Sequence, residues 1–94
     1  MKTIEIENGK LEYSYEDDVI ILDLVEVIEK RKGTGRQLVQ MLIAIAEEEG
    51  KDIELCAYPQ DDSIELADLV YFYEDLGFSV EYDTGSEVLM KYEI

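Results

Sequence analysis

The chain has 94 residues, enough for one domain with one hydrophobic core. Its formal net charge of −16, from 24 Asp and Glu against 8 Lys and Arg, argues against direct nucleic-acid binding and fits a basic partner or plain solubility. Histidine is absent and Cys56 is the lone cysteine, which removes the commonest general base, the Ser-His triad, most zinc sites and any intramolecular disulfide.

Met1 to Glu5 alternates with charge, unlike a signal peptide, and no apolar run approaches the roughly 18 residues of a membrane span. A cytoplasmic protein with no membrane partner and no metal is expected. Ile4 and Ile6, then Asn8-Gly9, then Leu11, Tyr13 and Tyr15 predict a β-hairpin closed by a type I′ turn. Asp17-Asp18 predicts a short turn. Val19 to Val27 is almost continuously apolar, as in a central strand covered on both faces.

A helix from about Gly35 to Glu49 is apolar on most sides and ends on Gly50 as a left-handed cap. Carboxylates at Glu47, Glu48 and Glu49 oppose its dipole. Ile53 to Ala57 predicts a strand parallel to Val19–Val27, completing a right-handed βαβ unit. Asp62 and Glu65 have capping-box spacing, and Leu66, Leu69, Val70 and Tyr73 mark one face of a second helix that Gly77 ends. Phe78–Tyr82 and Val88–Tyr92 predict two closing strands. The order β-β-β-α-β-α-β-β describes an α/β fold with a mixed central sheet.

Four of the eight basic residues, Lys30, Arg31, Lys32 and Arg36, surround Gly33-Thr34-Gly35 between a strand and a helix N-terminus. Backbone N–H groups and the positive end of a helix dipole make such a turn an anion site. The run lacks the Walker pattern, and Leu38 stands where a dinucleotide fingerprint needs its third glycine. What remains is a basic residue, two residues, then Gly-x-Gly.

Tyr71-Phe72-Tyr73-Glu74-Asp75-Leu76-Gly77-Phe78 adds a second motif. In this order and spacing, from about residue 10 to the end, the two motifs resemble the GNAT superfamily of acetyl-coenzyme A-dependent N-acetyltransferases. Ala57 to Ile64, and the spacing from Val25-Glu26-Val27 through Lys30-Arg31 to Gly33, are similar to small phage-type type V-A anti-CRISPR acetyltransferases of that family. The resemblance implies a minimal GNAT-like domain over 1–94, with acetyl-coenzyme A as cofactor. It also implies an amine acceptor, namely a protein lysine on a CRISPR effector or another nucleic-acid-binding protein.

Within that implied chemistry, backbone at Gly33, Thr34, Gly35 and Arg36, with Lys30 and Lys32, holds the pyrophosphate. The backbone of Val25 and Val27 pairs with the pantetheine arm. Tyr73 protonates the leaving thiolate, with Tyr71 as the alternative. Glu26 is the candidate base for an amine attacking directly in a ternary complex, and Asp23 is read on the opposite face. Cys56 is read as a small core residue. Three departures stand out: Lys30 replaces the usual Arg or Gln, Leu66 stands about where many members carry Asn, and two N-terminal helices that often shape the acceptor site have no counterpart. Two other readings stay open, an acidic non-catalytic protein that mimics nucleic acid and a coenzyme A-binding remnant without turnover.

Overall fold

Alternating strand patterns and two glycine-terminated helices place the elements in the predicted order. The computed structural model describes residues 1–29, 32–59 and 64–94. Its elements are β1 (Lys2–Ile6), β2 (Gly9–Glu16), β3 (Val19–Val27), α1 (Thr34–Glu49), β4 (Ile53–Ala57), α2 (Leu66–Asp75), β5 (Ser79–Asp83) and β6 (Val88–Tyr92). They form one sheet of order β1-β2-β3-β4-β6-β5. The β3–β4 pair at its centre is parallel, and the other neighbours are antiparallel.

Alternation sends Leu11 and Tyr13 of β2, Ile20 and Leu22 of β3, Ile53, Leu55 and Ala57 of β4, and Val88 and Met90 of β6 to one face. Leu38, Val39, Leu42, Ile43 and Ala46 of α1 and Tyr73 of α2 join the same buried cluster. Both helices therefore cover one side of the sheet, as two right-handed crossovers in the same direction require. The opposite face carries Lys10, Glu12, Glu26, Glu54, Cys56, Leu89 and Lys91 in register and has no helix over it among the described residues. The expectation that β3 is covered on both faces is thus corrected: Ile21 and Leu24 are only half-buried. Helix α1 is likewise one-sided, with Met41 38% exposed.

Turn chemistry departs from the sequence reading at two points. Ile6 faces Gly9, so the first hairpin turns at Glu7-Asn8, and neither residue has positive φ. The left-handed pair is Asp17 (φ 49°) and Asp18 (φ 72°), which closes the β2–β3 hairpin and has the signs of a type I′ turn. Gly9 serves close approach instead: a Cβ there would lie 2.5 Å from the Glu26 carbonyl oxygen and 3.2 Å from Thr34 Cγ2.

Helix α1 ends as predicted on Gly50 at φ 67°, whose N–H reaches the Ala46 and Glu47 carbonyls. One of the acids in its last turn now has a role, because Glu49 accepts the Tyr15 hydroxyl at 2.7 Å. That contact, with desolvation and the Glu49 charge behind it, pushes the Tyr15 phenol up to about 12. Lys51 sits 5.9 Å over the Tyr15 ring and pairs with Asp18.

Helix α2 starts on Glu65 without a side-chain cap, so the capping-box expectation is not met there; Asp62 lies outside the described residues. At its end Gly77 adopts φ 108°, with the Tyr92 ring 2.8 Å from where a Cβ would sit. The Phe78 N–H returns to the Tyr73 carbonyl, and Phe78 turns into the core at 4% exposure. The Leu-Gly-Phe run is a helix stop that seats an aromatic anchor.

Candidate active site

Parallel pairing joins Ile20, Ile21 and Leu22 to Ile53, Glu54 and Leu55 and stops there. Both strands continue, β3 to Val27 and β4 to Ala57, so they splay. The far edge of β3 shows why. Tyr13 faces Leu22 and Glu12 faces Leu24, leaving Asp23 unmatched on β2. An extra residue of this kind bends a strand and increases its twist. Ser14 Oγ donates to Asp23 Oδ2 at 2.8 Å, holding the bulge.

The splay opens a cleft of about 550 Å³. Its walls are β3 from Leu22 to Val27, the α1 start from Gly33 to Arg36, the end of β4, and Leu69, Phe72 and Tyr73 of α2. Beyond Leu22, the β4-facing backbone of β3 has no strand partner among the described residues.

The bulge also resets which side chains share a face. Leu22 faces the helices, and so, past the extra residue, do the half-buried Val25 and Val27, paired with Leu11 and Gly9. Glu26 faces Lys10 on the helix-free side. Asp23, bonded to Ser14 on that same side, is therefore not opposite Glu26, and the sequence reading of Asp23 is corrected.

Gly33 is the N-cap of α1 at φ 73°, with no side-chain cap and no acid in the first turn. The first-turn N–H groups thus lack intrahelical acceptors, and the positive end of the dipole lies at the cleft wall. A Cβ on Gly35 would meet Phe72 Cζ at 3.6 Å, Val27 Cγ2 at 3.8 Å and Val25 Cγ1 at 4.0 Å. Without one, the backbone there stays open to close approach. Thr34 is buried, and its Oγ1 accepts from Asn8 Nδ2 at 2.7 Å. Two of the loop's basic residues meet acids: Lys32 lies 2.7 Å from Glu29, and Arg36 Nη1 donates to Asp75 Oδ2 at 2.6 Å. Lys30 and Arg31 lie outside the described residues.

Tyr73 reaches the cleft from α2 while 8% exposed, edge-on to Phe72 and Phe78 at ring distances of 5.1 and 5.5 Å. Desolvation pushes its phenol up to about 12. It is therefore a neutral hydrogen-bond donor at any physiological pH. Tyr71 is 70% exposed and is not a cleft residue. The Glu26 side chain is 63% exposed, with Lys10 Nζ at 4.0 Å. Cys56 is exposed on the helix-free face, which corrects its reading as a core residue. Strand β4 alternates, and Cys56 falls on the same side as Glu54. Desolvation, then a hydrogen bond to Glu87, push its thiol up.

Phe72 and the Asn8–Thr34 contact were not legible as site features. The Phe72 position beside Tyr73 was the available signal for the first. Nothing local signals the second, whose partners stand 26 residues apart.

No protein-family model and no curated protein matches the sequence. Solved structures do. The chain is 42% identical to the anti-CRISPR protein AcrVA5 over 98% of its own length and 97% of that chain, with a TM-score of 0.88. The PaiA N-acetyltransferase of Thermoplasma acidophilum, solved with coenzyme A, matches with a TM-score of 0.72 at 20% identity, over 93% of this chain and 54% of that one. The ribosomal-protein-S18-alanine N-acetyltransferase of Escherichia coli matches with a TM-score of 0.73 at 21% identity, over 90% of this chain and 60% of that one. These two likenesses are of fold, and the chain spans little more than half of each enzyme. The chain belongs to the family of the anti-CRISPR protein AcrVA5, which it matches over nearly its whole length, and it has the fold of the GNAT N-acetyltransferases.

Proposed function

We propose that the cleft binds acetyl-coenzyme A and that the protein passes the acetyl group to a lysine ε-amine on a basic protein. The observation that carries this reading is the coincidence of three features at one opening. A strand edge is freed by the Asp23 bulge, a helix N-terminus is capped by Gly33 without a side chain, and a buried phenol stands opposite them. An extended arm with amide groups suits the first, a diphosphate the second and a leaving sulfur the third. The bare Gly35 backbone between Val25, Val27 and Phe72 fits the turn from arm to diphosphate. Coenzyme A bound to the PaiA enzyme supports the same choice.

Acetyl-coenzyme A would supply a thioester-activated acetyl group. First-turn amides of α1, with Lys32 and Arg36, neutralise the diphosphate. Val25 and Val27 present backbone to the arm in the manner of an added strand. Glu26, on the helix-free side of the cleft, takes a proton from the incoming ammonium through water, since a lysine of pKa ~10.4 is only about one part in a thousand neutral at pH 7. With the thioester bound, Tyr73 would donate its proton to the sulfur as the C–N bond formed and the C–S bond broke, and the proton shed by the acylated nitrogen would leave to water. A tyrosinate left by that donation would be reprotonated from water, because desolvation pushes the phenol up to about 12.

The acceptor side is the helix-free face, where Glu12, Glu26 and Glu54 outnumber Lys10 and Lys91. An acidic, uncovered sheet face favours a basic macromolecular surface over a small amine. Resemblance to an anti-CRISPR protein makes a CRISPR effector nuclease the first acceptor to test.

Calorimetric titration with acetyl-coenzyme A, followed by mass spectrometry of acetylated lysines on such an effector, tests the proposal. Micromolar binding with site-specific acetylation is the expected result. Binding without transfer to any basic peptide would leave a coenzyme A-binding remnant. No binding at low salt would leave an acidic protein that acts by occupying a basic groove.

A further inference from the structure

Asn8 bonds to both Glu29, just past the end of β3, and Thr34, the first residue of α1. Its Oδ1 accepts the Glu29 backbone N–H at 2.9 Å. Its Nδ2 donates to the Glu29 carbonyl at 2.9 Å and to Thr34 Oγ1 at 2.7 Å. Its own carbonyl accepts the Ile28 N–H at 2.8 Å. The two backbone contacts at Glu29 fix which end of the amide is oxygen. One side chain thus ties the strand exit at Glu29 to the first residue of α1 at Thr34. Gly9, next in sequence, has no Cβ because the Glu26 carbonyl and Thr34 Cγ2 occupy that space.

We infer that Asn8 is a positioning residue for the diphosphate-binding loop, an inference that rests on the cofactor reading above. The Asn8-Gly9 pair looks like a turn signal in the sequence, but the chain turns one residue earlier. What the pair does is brace the loop. Pinning Glu29 and Thr34 to one side chain fixes the α1 start against the strand exit, so the first-turn amides of α1 point one way before any ligand arrives. Hydrogen-bonded supports behind a binding group commonly set its affinity. Asn8 itself is not among the residues lining the cleft, so its effect is indirect.

The test is Asn8→Ala, with the near-isosteric Asn8→Asp used if the alanine variant unfolds. Asp keeps the acceptor for the Glu29 N–H and loses both donors. Two thioesters are compared in a thiol-release assay with a lysine-rich peptide: acetyl-coenzyme A, and S-acetylpantetheine, which carries the same thioester and no phosphate. The expected result is a ~10–100-fold rise in Kd and KM for acetyl-coenzyme A. With saturating acetyl-coenzyme A, kcat should stay within about twofold, and kcat/KM for S-acetylpantetheine should not fall. An equal fall with both thioesters would mean general damage and overturn the inference. Unchanged acetyl-coenzyme A affinity in a folded variant would overturn it while leaving the cofactor reading intact. Failure of the unmutated protein to bind acetyl-coenzyme A would overturn both.

Discussion

At the scale of single residues, the proposed chemistry rests on Tyr73 and Gly33, and the two should fail in different ways. Tyr73 contributes a buried phenol whose oxygen is the one part of it suited to chemistry; its ring packs on Phe72 and Phe78. Tyr73→Phe keeps that packing, so acetyl-coenzyme A affinity should hold while turnover falls about ten- to a thousandfold. A rate equal to that of the parent protein would remove Tyr73 as the donor. Gly33 sits at φ 73° with open space where a Cβ would point. Gly33→Glu therefore meets no clash, only the left-handed strain of roughly 1–2 kcal/mol and a carboxylate at the anion site. The variant should fold, melt a few degrees lower and show no calorimetric signal with acetyl-coenzyme A. Undiminished binding would move the diphosphate elsewhere.

Among elements, β3 decides whether there is a site at all. Its first half pairs with β4 and its second half does not, and the change falls at Asp23. Deleting Asp23 removes the extra residue yet leaves Val25, Val27 and Glu26 on their present faces, because bulge and deletion cancel in register. The shortened strand should continue along β4 and close the cleft. We expect a cooperatively folding protein by circular dichroism that no longer binds acetyl-coenzyme A; retained affinity would mean the bulge is not what opens the strands. Gly9 tests the packing of β2 against β3 and α1. Gly9→Ala places a Cβ 2.5 Å from the Glu26 carbonyl, and the overpacking should cost about 1–3 kcal/mol in denaturant unfolding.

On the scale of the whole molecule, burial and charge set the pH and salt responses. Two of the seven tyrosines, Tyr15 and Tyr73, have phenols raised from 10.0 to about 12 in the folded chain. The folded state thus holds these protons more tightly than the unfolded one. Their contribution to stability is complete below pH 10 and is lost as pH climbs from 10 through about 12. Ultraviolet titration should show two late phenols, one missing in Tyr15→Phe and one in Tyr73→Phe. A net charge of −16 should draw a lysine-rich acceptor from a distance. Its KM should therefore rise between low salt and physiological salt, where the Debye length is about 8 Å. A salt-independent KM would argue that capture is by shape alone.

Much of this was legible from order and local pattern. Both helices, six strands, the parallel βαβ unit, the Gly33 turn and the Gly50 cap follow from hydrophobic period and glycine placement, which act over a few residues. The family resemblance rested on motifs of the same short range. Only the tertiary structure decided the rest, because each remaining feature depends on what lies across the sheet. The Asp23 bulge is a mismatch of two strands, visible in neither alone. It moved Asp23 to the side of Glu26 and opened the cleft. Asn8 and Gly9 are turn residues by composition and loop braces by position, since their partners are Glu29, Thr34 and Glu26. Cys56 is apolar enough for a core but faces away from one, because both crossovers cover the same side of the sheet.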